Sequence, residues 1–247
     1  MTIWALSDLH LSISVPSKKM DVFGPTWEDY ANKIEGNWKA HIQKEDLVLL
    51  PGDLCWAMKL DQALIDLQWV DALPGTKVLI KGNHDYWWDS PAKMKKIFPP
   101  SIHFIQNDSF DWHDVTIGGA RLWDTEEYNF HSFIEFRENP LEKKSHAKNL
   151  EEEKKIFLRE LERLELSLSK LNPHAKTRIA MTHYPPISAD LQDSLASKIL
   201  EKHRISVCVF GHLHNVKKDK QLFGEKGGVK YLFTSCDYLD FIPMRIL

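Results

Sequence analysis

The sequence predicts an α/β fold built on mixed sheet, and three observations predict it. Five short apolar runs, at 3–6, 47–50, 77–80, 178–181 and 207–210, have the length and composition of buried strands. Helix-length segments at about 27–43, 61–72, 91–97, 145–171 and 190–203 lie between them, and strands alternating with helices point to βαβ units. Three further β-like runs, at 102–105, 109–120 and 229–235, have no helix between them, which suggests hairpins and so some antiparallel pairing. At roughly 150 residues per domain, the 247 residues read as one large unit spanning 1–247.

In chain order, each strand runs into a polar cluster. The strand at 3–6 leads to Asp8-Leu9-His10. The helix at about 27–43 leads to the strand at 47–50 and then Gly52-Asp53. A helix over 61–72 precedes the strand at 77–80 and Gly82-Asn83-His84-Asp85. Beyond the short helix at 91–97 and the runs at 102–105 and 109–120 comes the longest helical pattern, 141–171. There Ala147, Leu150, Phe157, Leu161, Leu164, Leu168 and Leu171 recur at helical spacing. One apolar stripe therefore faces the body while Glu and Lys cover the rest. Asn172-Pro173 ends it. The strand at 178–181 leads to His183-Tyr184-Pro185-Pro186, and after a helix at 190–203 the strand at 207–210 leads to Gly211-His212-Leu213-His214.

Composition narrows the class. Forty-three per cent apolar and 27% charged residues exclude a disordered chain. A net charge of −3 and a pI near 6.5 exclude a strongly basic nucleic-acid coat. Cys55, Cys208 and Cys236 show no C-x-x-C spacing and read as reduced thiols of a cytoplasmic protein. With no basic leader and no run near 18 apolar residues, a cytoplasmic location without a membrane span is expected.

Ligands of open α/β sheets bind outside the carboxyl ends of the strands, so these five polar ends are expected to form one pocket. Residues i and i+2 at a strand end point the same way, which lets Asp8 and His10 grip one cation. Carboxylate, imidazole and amide donors without thiolates suit Mn, Fe, Zn or Ni rather than a structural cysteine zinc site. The donors suffice for two ions if one carboxylate bridges them, and Asp53 is the natural bridge.

Taken together, D-x-H, G-D, G-N-H-D, H and G-H-x-H resemble the pattern of the calcineurin-like metallophosphoesterase superfamily over residues 8–214. The resemblance implies a four-layer αββα sandwich of two mixed β-sheets flanked by helices. It implies two divalent metal ions (Mn2+, Fe or Zn2+). One would be held by Asp8, His10, Asp53 and His214, the other by Asp53, Asn83, His183 and His212. His84 would hold no metal and act as general acid while a hydroxide bridging the ions attacks a phosphomonoester or phosphodiester. Asp8 and Asp53 offset only half the charge of two dications, so such a centre attracts a phosphoryl anion.

Some positions depart from relatives of that pattern. The block Gly52-Asp53-Leu54-Cys55-Trp56-Ala57-Met58 lacks the second Asp and the Arg of the phosphoprotein phosphatase branch, which argues against a Ser/Thr protein phosphatase. Asp61 and Asp85 are the candidates to orient His84 instead. The opening Asp8-Leu9-His10-Leu11-Ser12 is similar to the lipid A pathway pyrophosphatase branch, but His84 stands where that branch has Arg. Trp56 and Trp87 either stack on a nucleobase or sugar or pack beneath the loops. Arg121 is a candidate phosphate clamp or a salt-bridge residue. The span 129–140 reads as a lid or a helix cap. A small phosphoester is the expected substrate, a nucleotide or nucleic acid the second class of partner, and no membrane partner is expected. The alternative functions are a nuclease or cyclic-nucleotide phosphodiesterase and, in another class, a catalytically silent protein-binding scaffold.

Overall fold

A computed structural model describes residues 1–135, 150–220 and 222–247. Its strands are β1 (Ile3–Ala5), β2 (Leu47–Leu50), β3 (Thr76–Leu79), β4 (Ile102–Phe104), β5 (Ser109–Trp112), β6 (Val115–Ala120), β7 (Thr177–Thr182), β8 (Val207–Phe210), β9 (Glu225–Lys226), β10 (Val229–Phe233) and β11 (Met244–Arg245). The helices are α1 (Tyr30–His41), α2 (Leu60–Asp71), α3 (Pro91–Ile97), α4 (Leu150–Leu168) and α5 (Leu195–Lys202). Two sheets result, ordered β11-β1-β2-β3-β4 and β5-β6-β7-β8-β10-β9. Both are mixed: β1 to β4 run parallel with β11 antiparallel, and β6, β7, β8 and β10 run parallel between antiparallel edges β5 and β9.

Alternation along the strands produces the layers, because successive side chains point to opposite faces. Leu47, Leu49 and Val78 meet Ile117, Ile179 and Val209 between the sheets. Val48, Leu50 and Leu79 point the other way, against Ile34, Trp38, Leu67 and Met94 of α1, α2 and α3. Ala180, Cys208 and Phe210 pack against Leu161, Leu164, Leu168 and Leu200 of α4 and α5. Helix, sheet, sheet and helix thus stack in four layers, and the strands read as continuous apolar runs because both their faces are buried.

The structure amends several expectations. The runs at 102–105 and 109–120 do not pair with each other. β4 joins β3 in parallel in the first sheet, and 109–120 alone folds into the β5–β6 hairpin of the second. In the long helix, Leu150 lies 64% exposed rather than in the buried stripe, whereas Glu160 and Ser167 are buried. Each buried polar group has partners: Arg121 and Arg163 pair with Glu160, and Ser167 Oγ accepts from Gly119 N–H and donates to the Asp108 carbonyl. The first part of the predicted helix, with Ala147, lies outside the described residues, as do residues 136–140 of the predicted lid. The remainder of that lid is packed: the Phe130 ring lies against Phe223 and Ile134 bridges Val216. No described helix is long and apolar enough to cross a membrane.

Candidate metal centre

The loops after β1, β2, β3, β7 and β8 carry Asp8, His10, Asp53, Asn83, His183, His212 and His214 to one cleft. His10 Nε2 and His214 Nε2, 204 residues apart in the chain, face each other at 3.0 Å. Asn83 Oδ1 lies 2.7 Å from His183 Nε2 and 3.1 Å from His212 Nδ1. Asp53 Oδ2 sits between these groups, 3.7 Å from His10 Nε2 and 3.4 Å from His183 Nε2. Two sets, Asp8/His10/His214 and Asp8/Asp53/His183, each gather their donor atoms within 4.8 Å and are able to bind a metal ion.

The backbone achieves this by a route that strand-end alternation does not describe. β1 ends at Ala5, and Asp8 and His10 lie beyond it with φ of +59° and +45°. Asp53 and His212 share that left-handed conformation, with φ of +54° and +74°. Asp and His tolerate it better than most residues, yet it still costs of order 1 kcal/mol each. Four such residues in one cleft concentrate that cost at the candidate ligands. Close approach adds a demand for glycine: a Cβ at Gly82 would collide with Asp53 Oδ1 and N, and one at Gly211 with Asp8 Oδ2 and Ser7 Oγ.

Hydrogen bonds from outside the donor set fix Asp8, Asp53, His183 and His214. Asp8 Oδ2 accepts from Ser7 Oγ at 2.6 Å, Ser235 Oγ at 2.9 Å and His212 N–H at 3.0 Å. Asp53 Oδ1 accepts from His84 N–H at 2.8 Å. His183 Nδ1 donates to the Pro51 carbonyl and His214 Nδ1 to Asp237 Oδ1, which turns both Nε2 atoms into the cleft. Asp237 was missed by the sequence reading, although it follows β10 as the other polar groups follow their strands. Asp237→Asn is expected to weaken Mn2+ binding about 10–100-fold, read from Mn2+ titrations of melting temperature. An unchanged midpoint would show that Asp237 does not tune His214.

The electrostatics suit cations. Burial alone would depress His183, but the Asp53 and Asp8 carboxylates overcome it and raise its pKa to about 9. At His214 burial is likewise outweighed, chiefly by Asp237, again giving about 9. Burial holds His10 and His212 well below the ordinary histidine value, leaving neutral imidazoles with free lone pairs. Among the described residues no lysine or arginine pairs with Asp8 or Asp53, and His10 Nδ1 is buried without a partner. Two buried carboxylates whose charge is met, among the described residues, only by histidines that a metal can deprotonate, together with the neutral imidazoles and the Asn83 amide, fit divalent metal.

The remaining candidates separate. Asp85 does not orient His84. Its carboxylate accepts from the N–H groups of Gly82, Asp53 and Leu54 at 2.7–2.9 Å and from the Trp87 indole at 3.0 Å, tying the β2 and β3 loops together. Burial, reinforced by Asp53, raises its pKa to about 6 despite those donors. Asp61 is exposed and accepts from Gln62 N–H. His84 Nδ1 is buried without a partner, and the ring is held instead by packing, 4.7 Å from Trp56 and 5.5 Å from His10. Trp87 is 2% exposed with its indole N–H bound to Asp85, so it supports the loops rather than meeting a ligand. Trp56 is half-buried and stacks on His10 at 4.9 Å. The Arg121 guanidinium pairs with Glu160 at 3.2 Å and lies over Trp123, lining a cavity of about 370 Å³ that contains none of the seven donors. Cys55, Cys208 and Cys236 are buried and free, and burial pushes all three thiols up.

Comparison with known proteins gives a consistent result. The sequence pattern of calcineurin-like phosphoesterases matches residues 1–216. The Gene 66 protein of Mycobacterium phage D29 is 35% identical over 83 residues, 34% of this chain and 40% of that protein. The match therefore spans less than half of that relative's length. A protein of unknown function from Aquifex aeolicus superposes with a TM-score of 0.51 at 14% identity, over 99% of this chain and 95% of its own. A phosphopantetheinyl hydrolase from Mycobacterium tuberculosis superposes with a TM-score of 0.50 at 14% identity, over 100% of this chain and 95% of its own. At that identity the two structures share the fold.

Proposed function

Because the chain belongs to the calcineurin-like phosphoesterase family, and so is a phosphoric ester hydrolase, we propose that it cleaves a small phosphomonoester or phosphodiester at a two-cation centre with His84 as proton donor. The observation that carries this reading is the convergence of seven candidate donors on one cleft in which, among the described residues, no lysine or arginine pairs with Asp8 or Asp53. Asp8, His10 and His214 would hold one cation and Asn83, His183 and His212 the other, with Asp53 shared. When bound, the cations supply Lewis acidity, lowering the pKa of the attacking water and offsetting charge on the phosphoryl oxygens.

The chain's own part is orientation and proton supply. Ser7, Ser235 and the His212 amide hold Asp8 in one rotamer, and the Asp237 carboxylate and Pro51 carbonyl set the tautomers of His214 and His183. His84 holds a place beside the donors without joining them. Burial keeps its pKa below the ordinary histidine value, so in the free protein it is largely neutral near pH 7. A phosphoryl anion beside the ring favours its charged form, so substrate binding itself loads the proton that the leaving oxygen takes.

The test compares Mn2+-dependent hydrolysis of p-nitrophenyl phosphate and bis-p-nitrophenyl phosphate, with Asp53→Asn as the blank. Turnover of at least one ester is expected, abolished by chelation and restored by added Mn2+. Faster turnover of the diester would assign a diesterase, faster turnover of the monoester a phosphatase. No turnover of either, together with no rise in melting temperature on adding Mn2+, would sink the proposal and favour a protein-binding scaffold.

A further inference from the structure

A groove of about 220 Å³ opens beside the metal centre, lined by Lys18, Lys19, Met20, Trp56, His84 and Tyr86 among others. None of the seven donors lines it; His84 and Trp56 form the partition between groove and centre, Trp56 with one face against His10. From this arrangement, and resting on the hydrolase reading above, we propose that the groove is the leaving-group subsite. Its ligand is an alcohol carrying a flat apolar group and a second negative charge.

The position follows from the chemistry. As water oxygen bonds to phosphorus, the bond from phosphorus to the leaving oxygen breaks, the electron pair stays on that oxygen, and His84 gives it a proton. Whatever is attached to the leaving oxygen must therefore lie on the His84 side, where the groove is. The lining specifies the class of that group. Trp56 and Met20 give an apolar wall, and Tyr86 and Met58 extend it at the rim, 54% and 61% exposed. Lys18 Nζ lies over the Trp56 ring, 5.7 Å from its centroid, and neither Lys18 nor Lys19 pairs with a carboxylate among the described residues. The groove thus offers an apolar wall to a flat group and, at the same wall, two ammonium groups without a carboxylate partner to its anion. The volume is below the roughly 300–1,000 Å³ of a whole-ligand pocket, which suits one part of a substrate whose phosphoryl end lies at the metals.

The test needs one readout that does not depend on turnover. Calorimetric titration of metal-free protein with 4-hydroxybenzoate and with its neutral counterpart 4-hydroxybenzamide is expected to favour the anion about threefold or more, and Lys18→Ala/Lys19→Ala is expected to erase that preference. In the Mn2+ enzyme, the kcat/KM ratio for 4-carboxyphenyl phosphate over phenyl phosphate should fall by a similar factor in the double variant, through KM rather than kcat. Substituting the remote exposed Lys95 by alanine should leave the ratio alone. An unchanged preference and ratio in the double variant, with turnover intact, would overturn the groove assignment. No hydrolysis of any ester, with lysine-dependent binding intact, would instead overturn the hydrolase reading and support the groove as a site for flat anions.

Discussion

Asp53→Asn is expected to lower metal-dependent hydrolysis by about 10³-fold or more, the several kcal/mol that metal Lewis acidity contributes, while the fold survives. The substitution keeps the volume of a side chain that is 1% exposed, so the core around it need not move. What changes is the chemistry of two oxygens with different tasks. Oδ1 accepts the His84 N–H, and Oδ2 faces the His10 and His183 nitrogens at 3.7 and 3.4 Å. An asparagine that keeps the first bond must turn its NH2 toward the nitrogens, putting hydrogens where a lone pair is required. If it flips, the His84 amide loses its acceptor. Either way the centre also loses one of its two carboxylate charges. Melting curves separate this from simple unfolding. At a hundredfold excess over Kd, Mn2+ should stabilise the wild type by about 2.7 kcal/mol, roughly 5–10 °C for a chain of this size. The variant should melt like the metal-free wild type and gain little. A variant that keeps both the gain and the activity would remove Asp53 from the centre.

His84→Ala is expected to cost about 10²–10⁴-fold on a poor leaving group and far less on a good one. Phenyl phosphate and p-nitrophenyl phosphate provide the comparison, since the nitrophenolate departs with little help from an acid. The donor set predicts that Mn2+ affinity changes little, because the hydrogen bond of His84 to the centre is made by its backbone N–H on Asp53, which alanine retains. Ring packing against Trp56 and His10 is lost, so a modest loss of stability accompanies the substitution. Equal losses on the two esters would show that the ring positions its neighbours and is not the proton donor. A large fall in Mn2+ affinity would point the same way.

These two residues were legible before the structure, and the reason is local. A βα loop is short, so the polar residues that end a parallel strand are close in sequence to the apolar run that announces it. Asp8, Asp53, Asn83, His183 and His212 all stand within a few residues of a strand end, and a parallel topology sends such ends to one edge of the sheets. The same logic covers the alternation of helices and strands and most element positions.

What stayed hidden depends on partners distant in sequence. Asp237 becomes a partner of His214 only once β10 lies beside β8. Asp85 sits next to His84 in the chain, yet its carboxylate serves the backbone of Asp53 and Leu54, about 30 residues earlier, and of nearby Gly82, because these three buried N–H groups need an acceptor. Arg121 is drawn to Glu160 across the sheet–helix interface, since a carboxylate buried on α4 must be paired. β4 and β5 part company because β3 offers an open parallel edge to one and β6 a tight turn to the other. The left-handed backbone at Asp8, His10, Asp53 and His212 is likewise imposed by packing, for no local preference outweighs its cost. The sequence by itself determined the classes of element and the chemistry of the donors, because hydrophobic period and side-chain type are properties of neighbours along the chain. Only the tertiary structure decided which donor supports which, because hydrogen bonds, charge pairs and burial are settled between neighbours in space.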